Sequence, residues 1–455
     1  MSQSFDAIII GGGQAGPFLA ARLAGAGWRT ALIERRFMGG TCVNDGCQPT
    51  KALVASARVA WLARRAADFG VVTGPVSVDM KAVRTRKEGV VLASRNGLDS
   101  WMESTENLTV IRGSAAFVSP NAVEVNGQVL EGRQIFLNTG ARASAPDWAR
   151  GVPYLDNTSI LELDTLPKHL VIVGGSYVGL EFAQMYRRFG AQVTVLARGG
   201  RVASREDDDI SDAIRDILAG EGIRIITDAE CFAAERRGEG VVVKYGKDHA
   251  GEVEGSHLLL AVGRVPNVED LQLDKAGVAL DAAGYIAVDD RLRTSQPHIF
   301  ALGDVNGRGA FTHTSYNDFE IVSQNLLDGA SRKVSDRIPA YGLYIDPPLG
   351  RAGMSEREVR ARGLPALVAT RPMTRVSRAN ERGETLGFMK VFADAVTRQI
   401  LGVALLGIEG DEVMQSLLEA MAAGVSVDTI IGTMHVHPTV SELVPALLAD
   451  LKPLP

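Results

Sequence analysis

Apolar residues in this chain fall into short, unbroken runs separated by glycine turns and amphipathic stretches. That is the pattern of parallel strands buried on both faces and alternating with helices. Residues 6–10, Asp6-Ala-Ile-Ile-Ile10, read as such a strand. Gly11-Gly12-Gly13-Gln14-Ala15-Gly16 follows, and the apolar spacing from Phe18 to Leu23 predicts a helix. A second strand, Thr30-Ala-Leu-Ile-Glu34, ends in an acid 23 residues after Gly11. Strand, glycine turn, helix, strand and acid together make a dinucleotide-binding fingerprint. Gly11, Gly13 and Gly16 let the backbone approach a pyrophosphate at a helix N-terminus, and Glu34 can accept a hydrogen bond from a ribose hydroxyl.

The pattern recurs. Leu170-Val-Ile-Val173 leads into Gly174-Gly175-Ser176-Tyr177-Val178-Gly179, a helix from Leu180 and the strand Gln192-Val-Thr-Val-Leu196. Ser176 stands where the second glycine is expected, and position 197 is Ala instead of an acid, with Arg198 next. Loss of the ribose acceptor and gain of a cation favour a 2′-phosphate, hence NADP, with Arg201 or Arg205 as a second cation. The plainer alternative is that these arginines decorate a solvated loop.

Shorter signals surround the two units. Asn138-Thr139-Gly140 and Ala261-Val262-Gly263-Arg264 each close an apolar strand with a tight turn, as expected where a chain crosses between domains. A buried strand at 297–302 ends in Gly303-Asp304, and Asp304 can meet a cofactor hydroxyl or cap the next helix. From Pro339 the composition changes. Strands at 388–392 and 401–405 precede helical runs at 413–423 and 439–451, which reads as an α+β domain. The expected architecture is α/β: two Rossmann-like dinucleotide-binding domains plus a C-terminal α+β domain. The expected divisions are 1–149 and 268–338 for the first nucleotide domain, 150–267 for the second and 339–455 for the last.

Composition narrows the class. At 455 residues the chain is too long for one core, and 46% hydrophobic with 22% charged residues is ordinary for an enzyme. A net charge of −6 argues against a general nucleic-acid binder. The short run Ile8-Ile9-Ile10 has no basic residue before it and glycines after it, unlike a signal peptide, and no stretch is apolar enough to span a bilayer. With only 3 cysteines and no targeting segment, a reducing, cytoplasmic compartment is expected.

Two of those cysteines carry the chemistry. In Gly39-Gly40-Thr41-Cys42-Val43-Asn44-Asp45-Gly46-Cys47-Gln48-Pro49-Thr50-Lys51, four residues separate Cys42 from Cys47. A loop this short can open and close as a disulfide, and a thiol at a helix N-terminus has a lowered pKa. No second Cys pair with zinc-type spacing is present, so a redox pair is preferred to a metal site. In the tail, His435-Val436-His437-Pro438-Thr439-Val440-Ser441-Glu442 offers a proton carrier for thiol exchange, with Glu442 five residues on to orient it. Thr439 and Glu442 also have capping-box spacing, the bland reading, and Pro445 should kink a helix there. The apolar stripe Val440, Leu443, Val444, Leu447 and Leu451 suits either a domain core or a subunit interface.

In this order the motifs resemble the flavoprotein disulfide reductase family, the pyridine nucleotide-disulfide oxidoreductases that include dihydrolipoamide dehydrogenase, glutathione reductase and mercuric reductase. The resemblance implies a homodimer bound through the C-terminal domain, with the stripe above at the interface. It implies FAD held by Gly11, Gly13, Gly16, Glu34 and Asp304, and NADPH held by the second unit. Cys47 would be the thiol facing the flavin, Cys42 the interchange thiol, Lys51 and Glu181 the ion pair beside the flavin, and Tyr177 the aromatic gate. His437 of one subunit, oriented by Glu442, would serve the Cys pair of the other. Val193-Thr-Val-Leu-Ala-Arg198 and Arg205-Glu-Asp207 look like mercuric reductase, and Phe311-Thr-His-Thr-Ser-Tyr-Asn-Asp318 like the copper- and hypochlorite-resistance flavoproteins. The chain departs from mercuric reductase in lacking a vicinal Cys pair before Leu451-Lys-Pro-Leu-Pro455. It departs from the family in the polar Asp45 and Gln48, and Cys231 is expected to be a buried bystander. The expected activity is NADPH-dependent reduction of a small disulfide or another thiophilic oxidant. Reduction of Cu(II) or Hg(II), or service in a larger dihydrolipoamide-dehydrogenase-like complex, are the alternatives.

Overall fold

The computed structural model describes residues 3–246 and 250–455. Gln3–Ile10 lies at the centre of the first sheet, parallel to Thr30–Glu34 on one side and Gln128–Leu137 on the other. Leu108–Arg112 extends one edge, and Ile299–Ala301 joins the end of Gln128–Leu137. Ala7, Ile8 and Ile9 are all fully buried, which is why the strand reads as a continuous apolar run instead of alternating. An antiparallel arm, Ala115–Ser119 with Ala122–Val125, grows from the first half of Gln128–Leu137.

The second unit repeats the design. Arg224–Ile226, Gln192–Leu196, His169–Val173 and His257–Leu260 form a four-stranded parallel sheet, against which the helix Tyr177–Phe189 packs. The two crossing points foreseen at Gly140 and Gly263 meet each other. Both glycines have positive φ, and the strands that follow, Ala141–Ala143 and Arg264–Pro266, pair antiparallel.

The glycine turns are sterically forced. Gly11 has φ +108, and a Cβ there would stand 2.2 Å from the Asn138 carbonyl oxygen; Gly174 has φ +121, with Ala261 O at 2.2 Å. Gly174→Ala is therefore expected to lower stability by about 1–3 kcal/mol through backbone strain alone. Gly199→Ala, whose Cβ would meet nothing within 4 Å, should be near neutral. Urea melts followed by circular dichroism compare the two.

The C-terminal region is a six-stranded antiparallel sheet in the order Ala340–Leu343, Leu349–Gly353, Ile400–Leu406, Phe388–Asp394, Ala366–Pro372, Lys452–Pro453. Two expectations are corrected here. The run 439–451 is not one helix but a 3₁₀ turn, Ser441–Leu443, followed by the helix Val444–Ala449. Pro445 falls in that helix's first turn, where its missing N–H costs nothing, so no kink arises. The buried part of the stripe is core within its own domain. Val440, Val444 and Leu447 are buried against Met389, Val391, Leu405 and Val413 of their own domain, with Leu443 and Leu451 packed beside them. No helix among the described residues is long and apolar enough to cross a membrane.

Candidate active site

The redox loop packs directly on the first glycine turn. Cys42 lies in the short helix Gly40–Asn44, and Cys47 opens the helix Cys47–Arg64. Gly39 N donates to Gly12 O at 2.7 Å, and a Cβ on Gly40 would stand 2.8 Å from Gly13 Cα. Both cysteines are free thiols. The Cys47 thiol is pushed down to about 6, first by a hydrogen bond from Cys42 and then, against the cost of burial, by Thr312 and the Lys51 cation. Cys42 is pushed strongly up by the same hydrogen bond, by burial and by the negative charge of Cys47. At neutral pH the pair is thus divided into a thiolate and a thiol that needs a base.

Around Cys47 the groups are fixed. Its Sγ lies 3.2 Å from Thr312 Oγ1, a contact no sequence signal announced although Thr312 sits inside the run quoted above. Lys51, one turn along the helix, reaches Glu181 Oε2 at 2.7 Å, and Tyr344 N donates to Glu181 Oε1 at 2.9 Å. Asp45 is explained by an ion pair with Arg36 at 3.1 Å. Gln48 Oε1 is buried with no partner among the described residues, and nothing in the structure explains it.

One cavity of about 1730 Å³ joins these groups to both glycine turns. Its walls include Gly11, Gly13, Glu34, Gly140 and Asp304 around the first turn, Cys42, Cys47, Lys51, Glu181 and Tyr177 in the middle, and Gly174, Ser176, Arg198, Arg201 and Gly263 around the second. Gly16 and Gly179 stand behind the wall. A Cβ on either would come within about 2.2 Å of the carbonyl of Gly11 or Gly174, so each holds its helix tight to its strand. Ser176 takes the second glycine position without strain because its φ is −106°. Glu34 accepts from Gly12 N at 2.7 Å and Arg36 N at 2.6 Å and so orders the first turn. Asp304 is pushed up by burial, opposed by Arg264, whose Nε is 3.4 Å away.

These residues fit FAD. The first turn is a cradle that any side chain would fill, Cys47 is exposed to the cavity, and the buried Arg264 Nε on its wall, 3.4 Å from Asp304 Oδ2, makes no aligned hydrogen bond among the described residues. Around the second turn the arginines differ. Arg201 pairs with Asp208 at 3.1 Å and Asp212 at 3.3 Å, whereas Arg198 has no ion pair among the described residues. Cys231 is half-buried, and desolvation pushes its thiol up to about 12.

His437 and Glu442 lie apart from this cavity. They line a separate surface hollow with Ser377, Thr433 and His435. His437 Nδ1 is 2.9 Å from Glu442 Oε2, and the imidazole is largely exposed. Thr439 Oγ1 caps Glu442 N at 3.1 Å, while the Glu442 carboxylate turns to His437 instead of completing a capping box. Met434 and Val436, on either side of His435, are 94% and 75% exposed.

Two family profiles match the chain: "Pyridine nucleotide-disulphide oxidoreductase" over residues 5–318 and its dimerisation domain over 339–447. A probable pyridine nucleotide-disulfide oxidoreductase, RclA of Escherichia coli, is 36% identical over 98% of this chain and 99% of its own. A mercuric reductase of Streptomyces lividans is 34% identical over 96% and 94%, and a dihydrolipoyl dehydrogenase of Chlamydia pneumoniae 33% identical over 100% and 99%. The solved HOCl-induced flavoprotein disulfide reductase RclA of Escherichia coli superposes with a TM-score of 0.89 at 35% identity, covering 98% of this chain and 99% of that one. With two nucleotide cradles, a polarised Cys pair and a dimerisation domain in one chain, the protein belongs to the FAD-dependent pyridine nucleotide-disulphide oxidoreductases.

Proposed function

We propose that this chain is a cytoplasmic, NADPH-dependent homodimer that uses the Cys42–Cys47 pair to reduce a small disulfide or another thiophilic oxidant. The observation that carries this reading is the unequal thiol pair, Cys47 lowered and Cys42 raised, on the wall of a cavity that reaches both glycine turns. Bound FAD supplies the two-electron relay between the coenzyme and the disulfide. Gly11, Gly13, Glu34 and Asp304 would hold it, and the Lys51–Glu181 pair would set a charge on the same cavity wall.

Opening the Cys42–Cys47 disulfide takes two electrons and one proton, leaving Cys47 as thiolate and Cys42 as thiol. His437 of the partner subunit, held through Nδ1 by Glu442, takes the Cys42 proton at its other ring nitrogen. The Cys42 thiolate attacks the substrate disulfide, whose S–S bond breaks. The leaving thiolate takes the proton back from His437. Cys47 then attacks Cys42 in the mixed disulfide, re-forming the Cys42–Cys47 bond and expelling the second product thiolate. The assignment of His437 to the partner's site is supported by its lying outside the cavity of its own subunit and by the exposed apolar Met434 and Val436 beside it.

Ala197 offers no ribose acceptor and Arg198 is unpaired among the described residues, so NADPH is the preferred coenzyme. Arg198→Ala should lose about 1–3 kcal/mol of NADPH recognition, as for a charge-assisted hydrogen bond, with little change toward NADH. Steady-state kcat/KM with each coenzyme measures this, and equal turnover of both by the unmodified protein contradicts it. Coenzyme oxidation against disulfides, quinones and metal ions identifies the acceptor class.

A second reading, reduction of Cu(II) or Hg(II), draws on the same thiolates without His437. It is favoured by the absence of His437 from the cavity and by a Cu(II) complex solved for the similar Escherichia coli RclA. His437→Ala separates the two: disulfide turnover should collapse, and metal reduction should survive.

A further inference from the structure

Tyr177 sits at the start of the helix Tyr177–Phe189, one turn before Glu181, and both line the cavity. It therefore lies on the cavity wall between the second glycine turn and the Lys51–Glu181 pair, on the path a nicotinamide would take from one to the other. The ring is tethered. Tyr177 OH donates to Glu206 Oε1 at 2.6 Å, and Tyr341 OH donates to the same oxygen at 2.8 Å. Glu206 is 1% exposed, and its Oε2 is buried with no partner among the described residues. A desolvated carboxylate makes charge-assisted hydrogen bonds that are costly to give up.

The backbone that carries Glu206 is anchored from the C-terminal domain. Glu206 O accepts from Arg357 at 3.3 Å. The adjacent Asp207 accepts from the buried Arg351 at 3.2 Å and from Glu356 N at 2.9 Å. Tyr341 is stacked on Phe311, with ring centroids 5.4 Å apart and planes within 5°. Glu206 and Tyr341 are thus held on several sides, whereas the half-buried Tyr177 ring borders open cavity.

We propose that Glu206, with Tyr341, is a positioning residue that latches Tyr177 across the nicotinamide end of the cavity, so that the coenzyme must break the Tyr177–Glu206 hydrogen bond to bind. The latch rests on the NAD(P)H reading above and adds to it a cost set by a buried carboxylate. Removing the hydroxyl but keeping the ring should therefore tighten coenzyme binding, which damage to the fold would not do.

The test titrates FAD-loaded protein with NADP⁺, and with NAD⁺ in parallel, following the flavin absorbance. Tyr177→Phe should lower Kd about tenfold, equivalent to about 1.4 kcal/mol. Glu206→Gln keeps an acceptor oxygen and should lower it less. Tyr177→Phe/Glu206→Gln should bind no tighter than Tyr177→Phe, because both changes remove one interaction. An unchanged or raised Kd in Tyr177→Phe, or additive effects in the double variant, overturns the latch. If the unmodified holoprotein neither binds nor is reduced by either coenzyme, the functional reading fails and the latch falls with it. If the unmodified protein is reduced normally and the variants do not shift, the latch alone is wrong.

Discussion

Homodimers of Cys42→Ser and of His437→Ala should each lose disulfide turnover almost entirely, and mixing them with subunit exchange should restore part of it. In the proposed mechanism Cys42 is the thiol whose proton is removed, and its pKa is pushed far up by Cys47 and by burial. Loss of a general base costs about 10²–10⁴-fold in rate, and loss of the attacking sulfur at least as much. In a mixed dimer one site keeps both an intact Cys pair and an intact partner His437, while the other has neither. Random exchange places half the dimers in that state, so recovery approaches about a quarter of the unmodified rate per subunit. Demonstrated exchange without recovered activity would mean that the site is not shared or that His437 is not its base.

The second large effect concerns Cys47. After one equivalent of NADPH under anaerobic conditions, the holoprotein should show a long-wavelength absorbance band from the Cys47 thiolate lying against oxidised flavin. Because the Cys47 pKa is depressed, the thiolate is present above about pH 6 and is lost as the pH falls through that value. The band should follow the same course. Cys47→Ser should abolish it at every pH. Thr312→Val, which removes a hydrogen bond that stabilises the thiolate, should move its midpoint upward. A band that persists in Cys47→Ser would transfer the role to another group.

The parts of this molecule that could be read from sequence are those in which local geometry and composition coincide. Gly11 and Gly174 declare themselves because a positive φ and a carbonyl 2.2 Å from any Cβ leave no alternative residue. Ser176 was readable as a tolerated departure, and its negative φ explains why. Cys42, Cys47 and Lys51 lie on one turn and the helix that follows it, so their proximity is also local. Periodicity alone said that Val440, Val444 and Leu447 face something apolar, but not that it was the core of their own domain. Pro445 looked like a helix breaker because the helix was drawn from Thr439, whereas it begins at Val444. The Thr312 contact to Cys47 and the Tyr177–Glu206–Tyr341 cluster join residues 265, 29 and 135 positions apart, which only tertiary packing brings together. The Glu442 carboxylate could have capped its helix or held His437, and only the fold decided for His437.

Transfer of electrons from the coenzyme to the Cys42–Cys47 pair is the step on which the proposed activity depends. It is tested most directly by trapping thiols in the FAD-loaded protein before and after one equivalent of NADPH under anaerobic conditions, then digesting and mapping the alkylated peptides by mass. Before NADPH, Cys42 and Cys47 should be recovered as one cross-linked peptide, with Cys231 alkylated on denaturation. After NADPH the cross-link should vanish and both cysteines should carry the label, with Cys231 unchanged. A Cys42–Cys47 cross-link that survives NADPH in protein whose flavin is reduced, or a pair never cross-linked at all, would contradict this transfer.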